Sequence, residues 1–113
     1  MTPIEVLVHK ALKQYELDMG WVVHQQKKID RYRVDFVVDN VVVDCSTPPF
    51  SVVIECDGHD FHERTKEQAE KDKRRDRVLQ FYGYRVHRYT GSEIWRSSGE
   101  CVLPDLGWYN GQD

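Results

Sequence analysis

Two kinds of hydrophobic pattern alternate along this chain. Ile4, Leu7, Val8, Ala11, Leu12 and Tyr15 recur at helical spacing and make one apolar stripe. Thr2 suits the N-cap, Pro3 the first helical position, and Glu5, three residues after Thr2, completes a capping box. The pattern predicts a helix ending near Asp18 with Gly20 as its stop. A single stripe of this kind packs against one face of a sheet. Residues 21–26 read as a first strand and 27–30 as a polar turn. Residues 32–38 read as a second strand, with Asp39-Asn40 as a turn. Residues 41–44 either continue that strand or fold back as a hairpin. Pro48 and Pro49 mark a loop, since neither can donate to a ladder.

The third strand, 51–57, organises the rest. Val52, Val53 and Ile54 form a β-branched run of the kind buried in a central strand. Side chains alternate along a strand, so Glu55 and Asp57 share one face and Cys56 takes the other. Residues 62–82 then read as a charged helix stopped by Gly83. One of its stripes holds Gln68, Asp72, Arg75, Leu79 and Tyr82; a nearly opposite one holds Lys66, Lys73, Arg77 and Gln80. The first stripe is too polar for a core and suits the border of a polar site. Asp72 and Arg75 read as a structural ion pair there. Residues 84–89 form a fourth strand, and Ser92 caps a short helix. The order is α-β-β-β-α-β-α, an α/β (α+β) domain with a central mixed sheet flanked by helices. The domain is expected to span 1–98. Residues 99–113 are expected to be an irregular tail docked through Trp108 and Tyr109.

Composition narrows the classes. A chain of 113 residues holds one domain with a real core. A net charge of −3 argues against a surface coated in polyanion but leaves room for a local basic patch. No apolar run approaches membrane-spanning length, and no signal peptide is visible at the N-terminus. Cys45, Cys56 and Cys101 form neither a disulfide framework nor a zinc motif, which points to a reducing cytoplasm.

The candidate chemistry lies in the acids. Asp35 sits in the second strand between Val34 and Phe36, where an unpaired acid is costly. If the second and third strands pair, Asp35, Glu55 and Asp57 converge on one end of the sheet, with His59 and His62 nearby. Crowded carboxylates repel unless a cation stands among them, and a hard divalent ion takes oxygen ligands. Metal-assisted phosphodiester hydrolysis needs such an ion, and cations to hold the polyanion. Lys66, Lys73, Arg77 and Arg88 would supply these.

Taken in order, these residues resemble the PD-(D/E)XK nuclease superfamily. Glu55-x-Asp57-Gly58 followed by His59 and His62 is similar to the E-x-D-G-x-x-H core of its very-short-patch-repair endonuclease-like branch. The run Asp72-x-x-Arg75-Asp76-x-x-Leu79-x-x-x-Gly83-Tyr84-x-Val86-x-Arg88 resembles that branch's helix-strand unit. Thr2-Pro3-Ile4-Glu5 resembles its opening helix, whose Glu often completes the metal site. The resemblance implies a restriction-endonuclease-like domain that cleaves DNA with Mg²⁺ or Mn²⁺. Asp35, Glu55, Asp57 and Glu5 would hold metal, and His59 or His62 would move a proton or hold a phosphate. Two departures stand out: Asp57 occupies the place of the superfamily's Lys, and residues 41–50 are an insertion. The alternative is a catalytically inactive nucleic-acid-binding module of the same fold. A further rival is a metal-free interaction protein whose acids are only turn residues.

Overall fold

The computed structural model describes residues 1–58 and 65–108. Helix α1 (Pro3–Met19) begins at the capping box, with Glu5 N donating to Thr2 Oγ1, and ends at Gly20 with φ 73°. Strands β1 (Val22–Ile29), β2 (Tyr32–Val41), β3 (Phe50–Asp57) and β4 (Tyr84–Thr90) follow, with α2 (Lys66–Phe81) between β3 and β4. Helix α3 (Gly91–Ser97) and two 3₁₀ turns, Glu100–Val102 and Pro104–Leu106, complete the described chain.

The sheet runs β1-β2-β3-β4. The β1/β2 and β2/β3 pairs are antiparallel and β3/β4 is parallel, so the sheet is mixed. The crossover α2 covers one face; α1 and α3 lie on the other. Val8, Leu12, Trp21, Phe36, Val38, Val52, Ile54 and Ile94 are buried between the sheet and α1 and α3, with Val102 and Leu106 of the 3₁₀ turns and Leu103 between them in the same cluster. Ile29, Val34, Val37, Val53 and Leu79 form a smaller cluster beneath α2. Trp108 packs on Tyr15, ring centroids 4.4 Å apart. Among the described residues, no helix is long and apolar enough to cross a membrane.

Several local expectations need correction. Lys27 and Lys28 belong to β1 and do not form a turn; the turn is Asp30-Arg31, with Asp30 at φ 55°. Charged residues tolerate this strand because β1 is a border strand. Asp39 and Asn40 lie within β2, where the register to β3 shifts between Val38 and Val41. Asn40 adopts φ 64° there, and its Nδ2 donates to Gly20 O at 2.8 Å, tying the bulge to the end of α1. β2 ends at Val41, and Asp44 closes the following loop by accepting from Ser46 N and Thr47 N. Thr65 caps α2, and the expected helix start at His62 lies outside the described residues; Thr90, not Ser92, caps α3 through a capping box with Glu93.

Candidate active site

The register explains how distant residues meet. Phe36 faces Ile54 across β2/β3, so Asp35 and Glu55, the next residue on each strand, lie at the same level of the sheet. Gln25 faces Phe36 and Lys27 faces Val34, which sets Gln26 against Asp35. Glu55 faces Arg88 on β4. A polar row, Gln26–Asp35–Glu55–Arg88, therefore crosses the sheet just beyond its apolar centre.

Helix α1 brings Glu5 to this row. Its Oε2 accepts from Thr2 N at 2.7 Å and from Thr2 Oγ1 at 2.6 Å, while Oε1 accepts from Gln26 Nε2 at 3.0 Å. One carboxylate thus caps the helix and faces the site. Gln26 reaches it from a backbone at φ 48°, a costly conformation for a residue with a side chain. The hydrophobic pattern ends the first strand at Gln26 and gives that residue no role, because only the register reveals it.

Asp35 is held by a bond from Cys56 N to its Oδ2 at 2.8 Å. Burial, then the charges of Glu55 and Glu5, push its carboxyl up to about 7. Glu5 moves the other way. Burial would raise its pKa, but hydrogen bonds from Thr2, Asp35 and Gln26 outweigh that and lower it. The two shifts run in opposite directions, so Asp35 is the member of the pair that takes up a proton more readily. A cleft of about 400 Å³ opens here, lined by Thr2, Pro3, Ile4, Glu5, Asp35, Cys56 and Gly58.

Glu55 and Asp57 do not line that cleft; each is engaged by an arginine. Arg75 Nη2 donates to Glu55 Oε1 at 2.5 Å and to Arg33 O at 2.7 Å, and its guanidinium lies over the Tyr32 ring at 5.3 Å. Spacing along α2 suggested Asp72 as the ion partner of Arg75; the fold supplies Glu55 from β3. Arg88 donates to Asp76 at 2.6 and 3.2 Å and to Asp57 Oδ1 at 3.5 Å. Burial disfavours the charge on Arg88, but Asp76, Asp57 and Glu55 outweigh it and raise its pKa.

A second cleft, about 310 Å³, lies on the α2 side, lined by Thr65, Lys66, Ala69, Asp72, Lys73, Asp76 and Arg88. It brings together three of the four candidate backbone-binding cations, while Arg77 stands on α2 outside it. His59 and His62 lie outside the described residues, as does Tyr109. Cys56 points into the α1-side core, and burial followed by the surrounding negative charges pushes its thiol up, so it is no nucleophile.

The donor set, carboxylate oxygens with one member partly buried beside other acids, fits a hard divalent cation. Among the described residues, no three such side chains already stand in ligating positions. Two of the acids are turned to arginines instead.

The raised pKa of Asp35 bears on stability. Asp35 binds its proton more tightly folded than unfolded, so its contribution to stability is greatest below about pH 4 and is lost as pH rises towards about 7. Thermal melts of the metal-free chain should show this loss, and Asp35→Asn should remove it. A variant that keeps the parent's pH slope would show that Asp35 does not carry the proton.

A helix-flanked mixed sheet with acids gathered at one end of its central strands defines a restriction-endonuclease-like domain. The REase_MTES_1575 family model matches residues 5–106, and the chain belongs to that family. It is similar in fold to a solved structure, the catalytic domain of homing endonuclease I-Bth0305I. That match has a TM-score of 0.59 and 21% identity, and covers 94% of each chain. No curated protein matches the sequence at a significant level.

Proposed function

We propose that this chain is a divalent-metal-dependent endonuclease acting on DNA. The observation that carries the reading is that Glu5 and Asp35 stand together in one acidic cleft, with Glu55 on the strand next to Asp35. Its place on a fold shared with a homing endonuclease catalytic domain supports the same class. The Glu55-x-Asp57-Gly58 spacing supports the finer placement near very-short-patch-repair endonucleases.

Asp35, Glu55, Asp57 and Glu5 would hold Mg²⁺ or Mn²⁺. When bound, such an ion supplies hydroxide near neutral pH and stabilises charge on the phosphorus oxygens. Glu5 is held ready by Thr2 and Gln26, and Asp35 loses its proton to become a donor. His59 or His62 would assist proton transfer. Lys66, Lys73 and Arg88, around one cleft, would seat the phosphate backbone, with Arg77 extending the track along α2.

Incubating the chain with plasmid and linear duplex DNA, with Mg²⁺, Mn²⁺ or a chelator, tests the reading. Metal-dependent cleavage is expected. Binding without cleavage in either metal would favour the inactive nucleic-acid-binding module, a reading to which the arginine-engaged state of Glu55 and Asp57 lends weight.

Neutralising Lys66, Lys73 and Arg77 together should flatten the salt dependence of DNA binding by about 0.9 in log–log slope for each phosphate no longer neutralised. An unchanged slope would return this face to plain solvent.

A further inference from the structure

The acidic cleft has a second half that faces away from it. Glu5 and Asp35 line the cleft, while Glu55, only 5% exposed, is turned to Arg75. Arg75 is not a loose surface cation. Arg33 O and the Tyr32 ring fix its guanidinium from the β1/β2 end of the sheet, and Leu79, one helical turn on, anchors α2 in the smaller core. The contact to Glu55 is one-legged, through Nη2 alone. Among the described residues Arg75 Nε is buried without a hydrogen-bond partner, although a guanidinium facing a carboxylate normally uses two parallel donors. A buried orphan donor carries a desolvation cost, which a ligand that engages both donors would relieve.

We propose that Arg75 is a positioning residue that acts through Glu55. It holds Glu55 away from the acidic cleft in the free chain and releases it when a nucleic-acid phosphate takes the guanidinium, so that cation binding and nucleic-acid binding are coupled. The proposal rests on the nuclease reading of the site. Arg75 and the cation compete for one carboxylate, and a phosphate competes with that carboxylate for Arg75. Each ligand therefore shifts the same two-state contact, and linkage makes the effect reciprocal. Arg88 makes a longer contact with Asp57, 3.5 Å, and is held chiefly by Asp76, so the arginine that restrains a carboxylate of this row is Arg75.

The test is calorimetric titration of Mn²⁺ into the full chain, alone and with a short duplex carrying non-hydrolysable linkages. The duplex is expected to tighten Mn²⁺ binding in the parent by about tenfold or more, within the usual range of such couplings. Arg75→Gln should bind Mn²⁺ more tightly without duplex, and the duplex should then add less. Arg75→Lys keeps the charge but is too short to reach Arg33 O and Glu55 together. Tightening in this variant separates release of Glu55 from simple loss of positive charge, and it also serves if melts show that Arg75→Gln is unfolded. If the duplex tightens parent and folded variant by the same factor, phosphate ligation alone explains the effect and the proposal is overturned. It is also overturned if neither variant binds the free ion more tightly. Failure of the nuclease reading looks different: the coupling would be present, with no cleavage of ordinary DNA in any metal.

Discussion

Asp35→Asn and Glu55→Gln are each expected to lose DNA cleavage by on the order of a thousandfold, the scale of several kcal/mol of transition-state stabilisation. Their effects on stability should have opposite signs. Asp35 is penalised when charged by burial and then by Glu55 and Glu5, so its amide should raise the melting temperature of the metal-free chain at pH 8. Glu55 is the buried partner of Arg75, and removing its charge leaves a guanidinium without an ion partner. Breaking such a pair costs on the order of 3–5 kcal/mol when fully buried; Arg75 keeps 26% of its side chain exposed, so the loss here should be smaller. Single-turnover cleavage and thermal melts on the same preparations check both statements. A cleaving Asp35→Asn protein would remove Asp35 from the proposed metal site. A stabilised Glu55→Gln protein would show that Arg75 contributes nothing to the fold through Glu55.

The second large effect is expected far from the acids, at Gly99. Its φ of 84° is left-handed, and an added Cβ would press into the backbone of α1, at 2.8 Å from Val8 N and closer still to Leu7. Nothing flexible can yield there, because both neighbours are helix backbone. Gly99→Ala should therefore destabilise the chain by about 3 kcal/mol or more, combining the backbone penalty with overpacking. Urea unfolding measures it. The same substitution should also slow cleavage, because α1 carries Glu5. Gly83, at φ 93° with open space around its Cβ position, is the control: Gly83→Ala meets the backbone penalty alone and should cost less.

Local features of the fold were legible. The Thr2–Glu5 capping box, the Val52–Ile54 run and the Gly20 and Gly83 stops each act within a few residues, so their sequence pattern carries them. The errors share a cause. Lys27 and Lys28 look like a turn but tolerate a strand because β1 borders the sheet, and Asp39-Asn40 looks like a turn but is a bulge held by Gly20 O. In both places a tertiary partner decides. The site divides in the same way. Placing Asp35 beside Glu55 needed only the guess that two strands pair. Gln26, meeting Glu5 across a register, and Arg75, meeting Glu55 from 20 residues away, have no local signal.

The left-handed backbone at Gln26 has a consequence beyond the acids. β1 is the last strand on its side, so its outer row of amides and carbonyls is a template on which another chain's strand could build. A flat, regular row is what such strand addition needs. Gln26 breaks the row midway, and Lys27 and Lys28 follow it with charge that would be buried by a newcomer. The residue that aims an amide at Glu5 also spoils the border for amyloid-like growth, so the geometry of the site and the colloidal behaviour of the chain are tied at one position.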